Sequence, residues 1–155
     1  MKKEETIDSQ NQINFSLLDP VLEDFCEKIC AQPKVRFCGI VNSMGRLIAG
    51  GLREGIEPLE NEDQRQMLYI QSFLEMSMKR DFDETLGKVE YMATYRDNIA
   101  VITMPLRQNC LLLLSTEKNA QIKQIIQVAT NLFECISLNH EGIPNTTSVI
   151  SPEFA

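Results

Sequence analysis

Cys26 and Cys30 stand four residues apart in an apolar stretch, a spacing that sets two thiols on one side of a helix. Two such thiols can begin a zinc site, with Cys38 or Cys135 as a third ligand. Both sit inside an apolar stripe, however, and the Cys-x-x-Cys spacing of common zinc knuckles is missing, so they read as reduced core thiols. The only nearby cations that would lower a thiol pKa are Lys28, near Cys26, and Arg36, near Cys38. The chain has 1 histidine, His140, so any Ser–His or Cys–His catalytic pair must use it. It follows the last helical stretch and opens a polar tail, a poor setting for a preorganised base. Glu141 beside it has no second His with which to build a metalloprotease motif. His140 therefore reads as a solvated side chain near a helix C-terminus.

Three further motifs fail on chemistry. Gly50-x4-Gly55 begins like a phosphate loop, but Ile56 stands where Lys is needed. Asp81-Phe82-Asp83-Glu84 looks like part of a calcium loop, but Leu86 occupies the turn position that requires Gly, which leaves a solvated connection. Asn145-Thr146-Thr147 is a glycosylation sequon without meaning in a reduced chain. The expectation is a non-enzyme with no catalytic residue, no metal and no cofactor.

The elements that would position any site come from the rest of the chain. Its 155 residues suit one domain with a substantial core. The formal charge of −7 repels phosphate backbones and anionic lipid, so the reading excludes nucleic acid as a partner. The longest apolar run, Cys110 to Leu114, is too short for membrane insertion, and the N-terminus lacks an apolar signal core. With 5 cysteines, an odd number inside apolar patterns, the expected location is cytoplasmic.

Residues 1–16 are polar and read as a flexible arm. Asp19 and Pro20 suit the N-cap and first turn of a helix carrying Val21, Leu22, Phe25, Cys26, Ile29 and Cys30 on one face, ended by Pro33. A hairpin follows: a strand from Val35 to Val41, the turn Asn42-Ser43-Met44-Gly45, and a strand from Arg46 to Gly51. Gly45 supplies the positive φ of the turn. Val35, Phe37, Gly39 and Val41 should point one way and Cys38 and Ile40 the other, which predicts helices over both faces of the sheet. A second helix spans about Asn61 to Arg80 and carries two apolar stripes: Met67, Ile70, Leu74, Met78, and Tyr69, Phe73, Met76. One can pack on the sheet; the other exceeds what a lone helix leaves in water. Strands are expected at Val89 to Arg96, Ile99 to Met104 and Cys110 to Ser115, and a last helix at about Asn119 to Leu138. Residues 139–155 read as a flexible tail.

The order α-ββ-α-βββ-α, with the hairpin Gly39-Ile40-Val41-Asn42-Ser43-Met44-Gly45-Arg46-Leu47-Ile48-Ala49, resembles the roadblock/profilin-like family and uncharacterised archaeal proteins of that type. The resemblance covers about residues 17–138. It implies an α+β fold: a five-stranded antiparallel sheet flanked by helices on both faces. It also implies a non-catalytic homodimer, since family members pair through the second helix and the adjacent edge strand, and several bind or regulate small GTPases. Carried onto this chain, the pairing surface is Tyr69, Phe73 and Met76 with Tyr91, Ala93 and Tyr95. Two other readings of the second stripe stay open: ordinary core, and a ligand pocket. The pocket reading makes the chain a small-molecule sensor of PAS or profilin-like type, its cavity lined by Met67, Ile70, Tyr91 and Met92.

Overall fold

A computed structural model of the chain describes residues 20–141, with side chains through residue 136. The expected arm and tail, Asp19, the side chain of His140, and Asn145-Thr146-Thr147 therefore lie outside the described part. The elements run α1 (residues 20–30), β1 (Val35–Val41), β2 (Leu47–Leu52), α2 (Glu62–Lys79), a 3-10 turn (Arg80–Phe82), α3 (Asp83–Leu86), β3 (Met92–Tyr95), β4 (Ile99–Pro105), β5 (Leu111–Glu117) and α4 (Ile122–Glu141). The strands form one antiparallel sheet in the order β2-β1-β5-β4-β3. The expected α-ββ-α-βββ-α order and five-stranded antiparallel sheet hold.

Two details depart from expectation. The acidic run at 81–84, expected as a solvated connection, is solvent-facing but ordered as a 3-10 turn leading into α3. The strand expected from Val89 to Arg96 is only Met92–Tyr95, the residues that pair with Ala100–Thr103 of β4.

Helices cover both faces of the sheet. On one, α1 and α4 bury Phe25, Ile29, Ile122, Ile125 and Ala129 against Cys38, Ile40, Ile102, Leu112 and Leu114. Phe25 and Phe133 join the two helices edge-to-face at 5.7 Å. On the other face Tyr69 of α2 meets Phe37, Val41 and Leu113. The central strand β5 is buried on both sides, which is why its sequence is nearly continuous Leu. Val35, expected to share a face with Phe37, instead joins the α1/α4 core. A bulge between Val35 and Phe37, where Val35 pairs with Thr116 and Phe37 with Ser115, breaks the two-residue alternation. Among the described residues no helix is long and apolar enough to cross a membrane.

The β1–β2 turn shows its chemistry plainly. The Asn42 side-chain oxygen accepts from the backbone N–H of Met44 at 3.0 Å and of Arg46 at 3.1 Å. Gly45 sits at φ 72°, and a Cβ there would lie 2.7 Å from the Ile70 side chain, so the turn tucks closely against α2.

Candidate interaction surface

The stripes of α2 fall in the opposite sense to the expectation. Asn61 caps the helix with a reciprocal box: its side chain accepts from Gln64 N–H at 2.8 Å, and its own N–H donates to the Gln64 side chain at 3.0 Å. That cap and the following 3.6-residue period turn Tyr69, Ser72 and Met76 onto the sheet, where all three are buried. Tyr69 stacks on Phe37 at 6.2 Å and 27°, and burial raises its phenol pKa. Ser72, small and polar, gives no apolar signal, yet between Tyr69 and Met76 it lets the helix axis approach the strands. Phe73 is half-buried at the border. Tyr69 and Met76 are thus core of the single chain and are not available to a partner.

The stripe left in water is the other one. Met67, Ile70, Leu74 and Met78 are 52%, 43%, 58% and 65% exposed. In steps of four the line continues past the helix end to Phe82 and Leu86, which are also exposed. Sequence reasoning misses these last two because it treats the 3-10 turn and α3 as a loop; the i, i+4 spacing from Met78 is the available signal.

The β3 residues divide between faces. Ala93 pairs with Ile102 and Tyr95 with Ala100, and both partners belong to the α1/α4 core, so Tyr91, Ala93 and Tyr95 project to that side. The α2 side of β3 is Met92 and Thr94. The expected grouping of Tyr91, Ala93 and Tyr95 with α2 as one surface therefore fails by one residue of register. The same register divides the expected sensor cavity: Tyr91 packs in the α1/α4 core, while Met67 and Ile70 look outward from α2. What Ala93 and Tyr95 do share is the free edge. The Arg96 N–H donates to the Ile99 carbonyl, so by antiparallel alternation Thr94 and Met92 bond β4, and the backbone N–H and C=O groups of Ala93 and Tyr95 point away from the sheet. The β3–β4 turn, Arg96 to Asn98, lines a groove with Met67 and Gln71, which puts this edge next to the apolar stripe.

The five cysteines differ in exposure. Cys26, Cys38 and Cys110 are buried, Cys30 is half-buried with its thiol 3.7 Å from the Gly51 carbonyl, and Cys135 is exposed on α4. Burial raises the Cys30 thiol, with Cys26 adding to it. Burial likewise lifts Cys38 well above its ordinary value, reinforced by its hydrogen bond with Cys26, and lifts Cys110 to about 11. Neither cation singled out in the sequence offsets this: Lys28 pairs with Asp24 at 2.9 Å, and Arg36 donates to the Glu57 carbonyl at 3.1 Å. Among the described residues no three His, Cys, Asp or Glu side chains are grouped to hold a metal ion.

The fold is similar to that of a roadblock/LC7 domain from Streptomyces avermitilis, at 12% identity over 75% of this chain and 94% of that one, with a TM-score of 0.59. It is similar to the gliding protein MglB from Thermus thermophilus, at 11% identity over 77% and 88% with a TM-score of 0.62. It is also similar to MglB of Myxococcus xanthus, at 9% identity over 79% and 96% with a TM-score of 0.62. At such identities the likeness carries the fold alone. No curated protein matches the sequence. A family model described as a family of unknown function, DUF6659, matches residues 16–138. With that match spanning most of its length, the chain belongs to the DUF6659 family, on a roadblock fold.

Proposed function

We propose that the protein is a non-catalytic homodimeric interaction platform, and that it serves as a regulator of, or adaptor for, a small GTPase. The observation that carries the dimer is the apolar line of α2, exposed from Met67 to Met78, lying beside a sheet edge whose backbone groups are unpaired. Four large apolar side chains in a row exceed the scattered exposure of a monomeric surface. An open edge adds directional hydrogen bonds to the hydrophobic contact. One fold relative is an MglB with a tetrameric arrangement, which is consistent with self-association on this fold. The GTPase reading rests on the resemblance to roadblock proteins, several of which bind or regulate such enzymes. The non-catalytic reading is supported by thiols whose pKa values are raised rather than lowered.

The test is the solution mass by light scattering over a dilution series. A species near twice the 17.7 kDa chain mass, stable to low concentration, is expected. A monomer at every concentration refutes the platform.

A further inference from the structure

Between α2, the loop at residues 53–61 and the sheet lies a cavity of about 30 Å³. One molecule of liquid water occupies about 30 Å³, so the space suits a single water and is far too small for an organic ligand. Phe37, Val101 and Leu113 line it from the sheet, and Leu68 from the helix. Purely apolar walls of this kind leave a cavity dry. Here polar side chains reach it as well: Tyr69, Ser115, Glu60 and Arg65.

The Tyr69 hydroxyl is the group that needs a partner. The residue is 1% exposed and its ring stacks on Phe37 at 6.2 Å. Its oxygen is buried and has no hydrogen-bond partner among the described residues. A buried hydroxyl left alone is destabilising, and buried polar groups are nearly always bonded to protein or to an ordered water. Burial is the main cause of the raised phenol pKa, with Arg65 opposing it and Glu60 adding to it, so the hydroxyl end of the ring lies toward that pair. Glu60 and Arg65 are themselves joined at 3.2 Å and are partly buried. Glu60 ends the loop, and Arg65 lies in the first turn of α2.

We propose that the cavity is a binding site for one water, which joins the Tyr69 hydroxyl to the Glu60–Arg65 pair. A water there has the two to four polar partners that hold one in a protein interior. It ties the loop, α2 and the sheet together at one point. It also gives position 69 a reason to be Tyr rather than Phe. The ring packs on the sheet, and its hydroxyl is satisfied only with α2 in the rotation that leaves Met67 and Leu74 facing outward. The site is on the sheet side of α2, so it goes beyond the dimer reading and does not depend on it.

The test is Tyr69→Phe in the full chain, which keeps the ring and removes the hydroxyl. A hydroxyl satisfied by water predicts a thermal midpoint lower by about 2–4 °C. An unpartnered hydroxyl predicts the opposite, a midpoint unchanged or raised. Glu60→Ala combined with Tyr69→Phe should lower the midpoint by less than the sum of the two single changes, because each alone already breaks the bridge. Water–protein cross-relaxation in NMR gives a second readout. A long-lived water is expected beside protons of Phe37, Tyr69 and Leu113, and it should be lost in Tyr69→Phe. A midpoint unchanged or raised in Tyr69→Phe, additive shifts in the double variant, or no long-lived water at the cavity overturns the proposal.

Discussion

Replacing Leu74 by Ala separates the two faces of α2. Fully burying a Leu side chain stabilises by about 1.5–3 kcal/mol. Leu74 is 58% exposed in the single chain, so the part left for a partner to bury is worth about 1–2 kcal/mol. A twofold seam buries it twice, for about 2–4 kcal/mol in all, or roughly 30- to 850-fold in the dimer dissociation constant. The same change should leave the monomer fold nearly untouched, within about 0.5 kcal/mol, since Ala is a good helix former and the side chain faces water. Tyr69→Ala is the counterpart. Tyr69 is 1% exposed and stacks on Phe37, so its removal should cost the fold about 3–5 kcal/mol. Sedimentation equilibrium measures the first quantity and denaturant unfolding the second. If Leu74→Ala left the dissociation constant unchanged, the exposed stripe would not be the seam. If Tyr69→Ala released a folded monomer, the assignment of the two faces would be wrong.

Other substitutions report on the framework. Asn61→Ala breaks the capping box of α2 and should cost about 1 kcal/mol, read as a lowered thermal midpoint. Gly50→Ala should cost at least about 3 kcal/mol, since the new Cβ would lie 2.1 Å from the Cys38 carbonyl at φ 86°; a normally folded variant of unchanged stability would contradict this backbone. Stability should also fall in alkali. Burial lifts Cys110 from 9.0 to about 11, so the folded chain keeps a proton that the unfolded chain releases. Its contribution is complete below pH 9.0 and is lost as pH rises through about 11. Burial shifts Cys30 and Cys38 in the same direction. Thermal midpoints across this range should fall less steeply in Cys110→Ala than in the parent. Ala93→Pro removes an N–H that points away from β4, so it should weaken the dimer while the monomer circular dichroism spectrum is preserved.

The sheet and its helices were legible because each element satisfies its own local rule. Leu111–Leu114 announces a strand buried on both sides, and Gly45 marks a turn that needs positive φ. The choice of face on α2 was not legible. Both stripes are apolar and both have helical spacing, so periodicity gives two solutions. Only the partners across the sheet, Phe37 and Leu113, select Tyr69 over Met67. In β3 the alternation was visible, but the sequence does not state which phase faces which helix; the pairing of Ala93 with Ile102 does.

The two edges of the sheet differ in a way that bears on where the proposed second copy would add. An edge strand carries unpaired backbone groups, and natural folds blunt such edges unless they are used. At β2 the blunting is visible. The Glu23 side chain, reaching from α1, accepts at 3.2 Å from the Gly50 N–H, a group that points away from β1. A Cβ at Gly50 would lie 2.9 Å from the Cys26 thiol, so glycine there lets α1 pack close to the edge. At β3 nothing comparable exists among the described residues: Ala93 and Tyr95 are exposed and their outward backbone groups meet no side chain. Tyr95 is 60% exposed, a large apolar ring held in water beside an open ladder. A strand added at β2 would have to displace the Glu23 side chain, whereas at β3 Ala93 and Tyr95 are exposed. The fold thus guards one edge and leaves the other open on the side where its apolar helix face lies. The proposed sheet extension through β3 rests on that asymmetry rather than on any single contact.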